Sequence, residues 1–129
     1  MSAFSRLRIQ RLLIVDDEPK ICDYLARHFR GKDIAVRVAH TGDEAIQILM
    51  DASPPPDTVL LDIHLPDMKG LQVLRRIKDL HPEIKVIMVT AEDDEEPRTE
   101  AKVYGAAGYI TKPFDLSEAT WDPVLFESP

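Results

Sequence analysis

Four short hydrophobic runs in this chain each end on a residue with charged or reactive chemistry, and that repetition leaves few folds open. Leu12–Val15 runs into Asp16 and Asp17, Thr58–Leu61 into Asp62, Lys85–Val89 into Thr90, and Gly108–Thr111 into Lys112. The runs are rich in β-branched residues and leucine, and helical patterns separate them, which predicts an α/β domain built on a parallel sheet. In such sheets ligands bind just beyond the carboxyl ends of the strands. The carboxylates of Asp16, Asp17 and Asp62, the Thr90 hydroxyl and the Lys112 ammonium are thereby expected along one edge of one sheet. That set suits a divalent cation and a phosphoryl group.

The segments between the runs read as helices and one further strand. Pro19 suits the first turn of a helix whose face carries Ile21, Leu25 and Phe29, with Gly31 expected as a left-handed stop. Ile34, Val36 and Val38 alternate with Ala35, Arg37 and Ala39, the pattern of a half-buried or edge strand. Thr41-Gly42-Asp43-Glu44 is a capping box ahead of Ala45, Ile46, Leu49 and Met50. Ser53-Pro54-Pro55-Pro56 then breaks the helix as a stiff connecting loop. After Leu65–Gly70, a helix is expected to carry Leu71, Leu74, Ile77 and Leu80 at three-residue steps until Pro82 ends it. Another should run from Pro97 to about Tyr104, its entry favoured by the acidic run Glu92–Glu96. Asp115–Glu118 signals a last helix, which Pro123 is expected to stop after about two turns. The sum is five strand–helix repeats in a doubly wound sheet. Residues 9–121 form the expected domain, with 1–8 an N-terminal extension and 122–129 a C-terminal tail.

Composition excludes several functions. At 129 residues the chain fits one domain. A net charge of -7 argues against holding nucleic acid or an anionic membrane by bulk electrostatics. With Cys22 as the only cysteine, neither an internal disulfide nor a cysteine zinc site is possible. Its place on the apolar face of the first helix predicts a buried, inert thiol. No apolar stretch approaches the roughly 20 residues of a membrane span. The N-terminus lacks the apolar core of a signal peptide, so a reduced cytoplasm is the expected setting. His28, His40 and His81 have no metal-ligand spacing and read as surface or helix-end residues.

The strand-end set supports one chemistry. A carboxylate such as Asp62 can attack the phosphorus of a phosphodonor to give an acyl phosphate. That reaction needs in-line positioning and charge neutralisation more than acid–base catalysis. Mg²⁺, hard and oxygen-preferring, is the natural neutraliser. Asp17 and Asp62 could ligate it directly, and Asp16 directly or through a water. Lys112 could pair with one phosphoryl oxygen and Thr90 hydrogen-bond another. Each residue alone has an ordinary explanation: a helix cap, a strand-end hydroxyl, a solvated charge. Their occurrence together at four strand ends favours the site.

These segments make the chain resemble the receiver domain of two-component response regulators, from about Arg11 to Trp121. The resemblance is carried by Leu12–Pro19, Leu60–Gly70, Val86–Ala91 and Gly108–Phe114. It implies a flavodoxin-like five-stranded sheet of order 2-1-3-4-5, an arrangement for which the receiver fold is itself a standard example. It implies that Asp62 accepts phosphate from a phosphohistidine on a sensor histidine kinase or a histidine phosphotransfer protein. It further implies Mg²⁺ on Asp17, Asp62 and the His64 backbone carbonyl with Asp16 assisting, Thr90 and Tyr109 as a switch pair, and a cis Lys112–Pro113 peptide.

The switch also has a physical argument of its own. New anionic oxygens on Asp62 would draw Thr90 inward, and the Tyr109 ring could swing into the vacated space. The face made by the fourth helix, fifth strand and fifth helix would then change shape, a population shift no larger than the phosphate's preference for one state. His64, two residues past the acceptor, departs from the Asn or Met common there. With Glu92, two residues past Thr90, its side chain could flank the path of an attacking water and tune dephosphorylation, although a solvated loop histidine is the more ordinary reading. The shortened last helix and the apolar Trp121, Val124, Leu125 and Phe126 are a second departure. They lie on the usual output face and make dimerisation through it doubtful. No DNA-binding or catalytic output segment follows, so the chain reads either as a stand-alone module or as a receiver excised from a larger regulator. The competing class is a haloacid-dehalogenase-like phosphatase, which shares the strand-end nucleophile, Mg²⁺, hydroxyl and Lys. It generally has an Asp where this chain has His64, and an acidic pair late in the chain rather than at Asp16-Asp17. A degenerate receiver acting by shape alone is a third reading, disfavoured by the complete acidic, Thr and Lys set.

Overall fold

The central strands are apolar at consecutive positions because both faces of the sheet are covered, and this decides the architecture. A computed structural model describes residues 9–125. The strands are β1 (Arg11–Val15), β2 (Ala35–Ala39), β3 (Thr58–Leu61), β4 (Lys85–Thr90) and β5 (Gly108–Thr111). They alternate with α1 (Pro19–Arg30), α2 (Gly42–Asp51), α3 (Gly70–Leu80), α4 (Glu95–Val103) and α5 (Glu118–Leu125). All strand pairs are parallel and the sheet order is β2-β1-β3-β4-β5. β3 is buried throughout, and β1 and β4 are buried after their first residue, whereas the edge strand β2 alternates between exposed and half-buried positions until buried Ala39.

Period-two alternation sorts the strand side chains into two cores. Leu13, Val15, Val59, Leu61, Val86 and Met88 face α2, α3 and α4 through Leu49, Leu74, Ile77 and Ala101. Leu12, Ile14, Leu60, Ile87 and Val89 face α1 and α5 through Leu25, Phe29, Trp121 and Leu125. Cys22 lies in this second core, where burial pushes its thiol up to about 12, so the expected inert thiol is what the fold contains.

Several local expectations are corrected. Gly31 is right-handed (φ -65°) and its N–H still bonds Arg27 O; the left-handed residue is Asp33 (φ 64°), an aspartate being among the few side chains that tolerate that region. The buried face of α3 is Gly70, Val73, Leu74 and Ile77, while Leu80 is exposed. Steps of three alone drift around a helix of 3.6 residues per turn, so the core-facing stripe must mix threes and fours. α4 starts at Glu95, ahead of Pro97, because a proline within the first turn removes an N–H that has no intrahelical partner anyway. α5 has the expected length of about two turns, but Pro123 lies inside it rather than ending it, and the helix continues through Leu125. The helix is anchored on both sides of the proline by buried Trp121 and Leu125, and Lys85 Nζ donates to Leu125 O at 2.6 Å. Trp121 packs edge-on against Phe29 and Phe114, and its indole N–H donates to Asp115 O at 2.6 Å. Among the described residues, no helix is long and apolar enough to cross a membrane. Met1–Arg8, expected as an extension, and Phe126 of the expected tail lie outside the described residues.

Candidate functional site: an acidic corner and its flank

Register brings the strand ends together. Val15 pairs with Leu61, so Asp16 and Asp62 leave neighbouring strands side by side, and Asp62 N–H donates to Val15 O at 3.0 Å. One carboxylate oxygen from each of Asp16, Asp17 and Asp62 lies within 4.8 Å of the other two. Asp16 and Asp62 are buried and Asp17 is exposed. Lys112 leaves β5, two strands from β3, yet its stem carries the ammonium across to the acids. Nζ lies 2.8 Å from Asp16 Oδ2, 3.0 Å from Asp62 Oδ2 and 2.7 Å from Glu18 Oε1.

Burial and pairing compete at these charges. Burial pushes the Asp16 carboxyl above its usual range, although the Lys112 bond and the Glu18 N–H pull it down. For Lys112, burial alone would favour the neutral amine. The hydrogen bonds to Asp16, Glu18 and Asp62 together outweigh it and hold the ammonium above its ordinary pKa. Among the described residues, no buried side-chain polar atom lacks a partner.

The loop after Asp62 is pinned back onto the strand it leaves. His64 N–H donates to Asp62 Oδ1 at 3.3 Å, His64 bridges Lys69, and Gly70 N–H donates to Ile63 O at 2.6 Å. Gly70 sits so close that any Cβ there would collide with the Asp62 carbonyl oxygen.

The β4–β5 side is arranged differently. Thr90 is fully buried and its Oγ1 accepts from Glu92 N–H at 3.3 Å. Tyr109 is half-buried, packs against the α2–α4 core, and donates its hydroxyl to Glu92 O at 2.7 Å. Arg98 stacks its guanidinium over the Tyr109 ring at 4.6 Å and bonds Asp93 at 2.9 Å. His64 Nε2 and Glu92 Oε2 are 2.7 Å apart, so the two flanking residues join each other rather than lining opposite sides of a channel. The Lys112–Pro113 peptide is cis, and Ser53–Pro54 is cis as well. Glu18, the third anion on Lys112, had no assigned role from sequence, although its place beside Asp16-Asp17 was a visible signal.

The response regulator receiver domain model matches residues 12–120 of this sequence. The chain belongs to that family. It is 41% identical over 110 residues to the transcriptional regulatory protein TrcR of Mycobacterium tuberculosis, a match covering 84% of this chain and 41% of TrcR. The chain thus spans well under half of that relative. A CheY-like receiver domain structure from Methanospirillum hungatei superposes with a TM-score of 0.79 at 32% identity, covering 84% of this chain and 85% of that one. A response regulator from Burkholderia pseudomallei, solved with a phosphorylated aspartic acid, calcium ion and citrate, gives a TM-score of 0.80 at 25% identity, over 89% of this chain and 68% of that one. The doubly wound sheet expected from sequence is therefore the receiver fold.

Proposed function

We propose that this domain is a phosphorylation-dependent switch in a two-component phosphorelay, with Asp62 as the phosphoacceptor. An Asp62 carboxylate oxygen attacks phosphorus on a phosphohistidine of a sensor histidine kinase or histidine phosphotransfer protein. The new O–P bond gives an acyl phosphate, and the P–N bond breaks to release imidazole. The observation that carries this reading is the buried Asp62 carboxylate with Asp16, Asp17 and the Lys112 ammonium around it. Phosphoryl transfer depends chiefly on such positioning and charge compensation.

The donor set fits Mg²⁺, being all hard oxygen with an open, exposed member in Asp17. Asp17, Asp62 and the His64 backbone carbonyl would hold the ion, with Asp16 assisting, and when bound it would offset the negative charge that a phosphoryl group brings to the acids. Lys112 is already aimed at Asp62 Oδ2 and would pass to a phosphoryl oxygen. Thr90 would exchange its bond from Glu92 N–H for one donated to another phosphoryl oxygen. Tyr109 lines clefts on both sides of β5, of about 540 and about 260 Å³, so its position shapes the face through which an output domain or downstream protein would read the state. The His64–Glu92 pair would tune access of the water that hydrolyses the acyl phosphate. In this sense the domain assists its own phosphorylation and dephosphorylation without being a turnover enzyme.

Incubation with Mg²⁺ and acetyl phosphate or a phosphoramidate, followed by intact mass, tests the proposal. The expected result is one acid-labile phosphate, absent in Asp62→Asn. Multiple turnover of a small phosphomonoester without stoichiometric labelling would transfer the site to the phosphatase class.

A further inference from the structure

We infer that the turn between β2 and α2 is a positioning bracket for the acidic corner. Asp67 on one side and His40 on the other fix the spacing of the two loops that carry Asp62 and Asp16, and so set the corner's affinity for a divalent cation. The inference rests on the Mg²⁺ reading above and assigns work to two residues that reading does not use.

The turn grips both loops. Asp67 lies at the tip of the hairpin that begins at Asp62, and its carboxylate accepts Gly42 N–H at 2.8 Å and Asp43 N–H at 2.9 Å. Those are donors of the first turn of α2, which have no partner within the helix. Met68 follows and seats on Gly42, where an added Cβ would approach Met68 Cγ to 2.5 Å. The hairpin tip and the helix start are thus docked by a bidentate bond and by a close contact that a larger residue at position 42 would keep only if the Met68 side chain moved.

On the other side, His40 Nδ1 lies 3.0 Å from Asp16 O, and Asp16 N–H donates to Ala39 O at 3.0 Å. Both faces of the Asp16 backbone therefore meet the end of β2 and the residue after it. His40 is itself fixed, since its N–H donates to Glu44 Oε1 at 2.8 Å while Thr41 Oγ1 accepts Glu44 N–H at 3.0 Å. The capping box expected at Thr41–Glu44 is consequently shifted on its return arm, the Glu44 carboxylate bonding His40 rather than Thr41. A continuous run of bonds leads from Asp16 through His40, Glu44 and Thr41 to Gly42, Asp43 and Asp67. Groups that hydrogen-bond to metal-binding residues and orient them typically change affinity about 10- to 100-fold when removed; His40 meets Asp16 directly, and Asp67 acts one step further out through the turn.

The bland alternative is that Asp67 merely caps α2. Asp115 is the control, because it braces the start of α5 on the opposite face of the sheet, accepting Ser117 N–H at 3.0 Å and the Thr120 hydroxyl at 2.8 Å, while Ser117 Oγ accepts Thr120 N–H at 3.2 Å. The full chain and its Asp67→Asn, His40→Ala and Asp115→Asn variants are titrated with Mg²⁺ alone by calorimetry, and melted in EDTA. Asp67→Asn and His40→Ala should each raise the Mg²⁺ Kd about tenfold, while Asp115→Asn lowers Tm with Kd unchanged. Acetyl phosphate labelling of Asp67→Asn should return to the wild-type rate at saturating Mg²⁺, a split in apparent affinity rather than in maximal rate. Wild-type Kd in both bracket variants would overturn the inference while leaving the receiver reading intact, and either variant decides if the other fails to fold. A wild-type chain that binds no Mg²⁺ would overturn the metal reading and the bracket with it.

Discussion

Immediately around the Asp62 carboxylate the site is built from buried charge, and beyond it, where the loops after β3 and β4 meet Tyr109, from exposed pairs and backbone bonds. The Lys112, Asp16 and Asp62 side chains are 11%, 4% and 6% exposed, against 64% and 33% for His64 and Glu92. Breaking a buried ion pair leaves an uncompensated charge out of water, whereas an exposed pair exchanges readily with solvent. The acidic corner is therefore expensive to disturb, and the His64–Glu92 and Tyr109–Glu92 contacts beside it are cheaper to rearrange. A chemical site needs the first property and a switch needs the second.

The largest effect expected from breaking this asymmetry is in Lys112→Met. It leaves Asp16 and Asp62 facing each other without their shared cation, a loss of about 3 kcal/mol in EDTA by urea denaturation. Mg²⁺ should recover part of that loss, since a cation among the same oxygens would replace the ammonium. The pH dependence has a definite sign. The folded-state pKa of Lys112 is raised above its ordinary 10.5, so its contribution is complete below about 10.5 and fades as pH rises through the folded value. The gap between wild type and variant should narrow in that alkaline range. A variant as stable as wild type at neutral pH in EDTA would show that the corner is not held by its charges.

Two neighbouring residues show what the sequence could and could not reveal. Asp62 was legible because it ends a short, leucine- and valine-rich strand, and strand ends in parallel sheets converge by topology alone. The same reasoning placed Asp16 and Lys112 beside it and Thr90 at the end of β4, and the alternation of β2 marked it as an edge. Asp67 was not legible in the same way. Its partners are backbone N–H groups of a helix distant in sequence, and no residue pattern announces a backbone donor. Glu18 and His40 were missed for the related reason that each reaches a partner across a loop, where spacing carries no periodicity. The boundary of α5 misled because propensity assigns Pro123 a stop, while burial of Trp121 and Leu125 overrides a local cost.

On the flank, Tyr109→Phe removes the hydroxyl that donates to Glu92 O and keeps the ring under Arg98. The expected destabilisation is about 1 kcal/mol, the usual net worth of one such bond. Acetyl phosphate labelling of Asp62 should proceed at the wild-type rate, because the hydroxyl touches none of the acids. What should shrink is the phosphorylation-induced change in the amide spectrum of α4 and β5. An undiminished change would remove the Tyr109 hydroxyl from the relay.

The smallest stability effect, and the sharpest test of the comparison, belongs to His64→Ala. The His64–Glu92 pair is exposed enough that its loss should cost no more than about 1 kcal/mol. Phosphorylation competence should survive, since the His64 contacts to the acidic site run through its backbone N–H and, in the proposed metal site, its carbonyl. The acyl-phosphate lifetime should nevertheless change, because the 2.7 Å contact with Glu92 spans the gap between the loops after β3 and β4. Glu92→Gln weakens the same contact from the other end while leaving the Glu92 carbonyl to Tyr109 and its N–H to Thr90. If the pair acts as a unit, the two single variants and the double variant should share one lifetime, a non-additivity that independent flanking residues would not give. Additive shifts would mean that His64 and Glu92 act separately on the attacking water. Lifetimes equal to wild type in all three would confine the flank to the conformational switch.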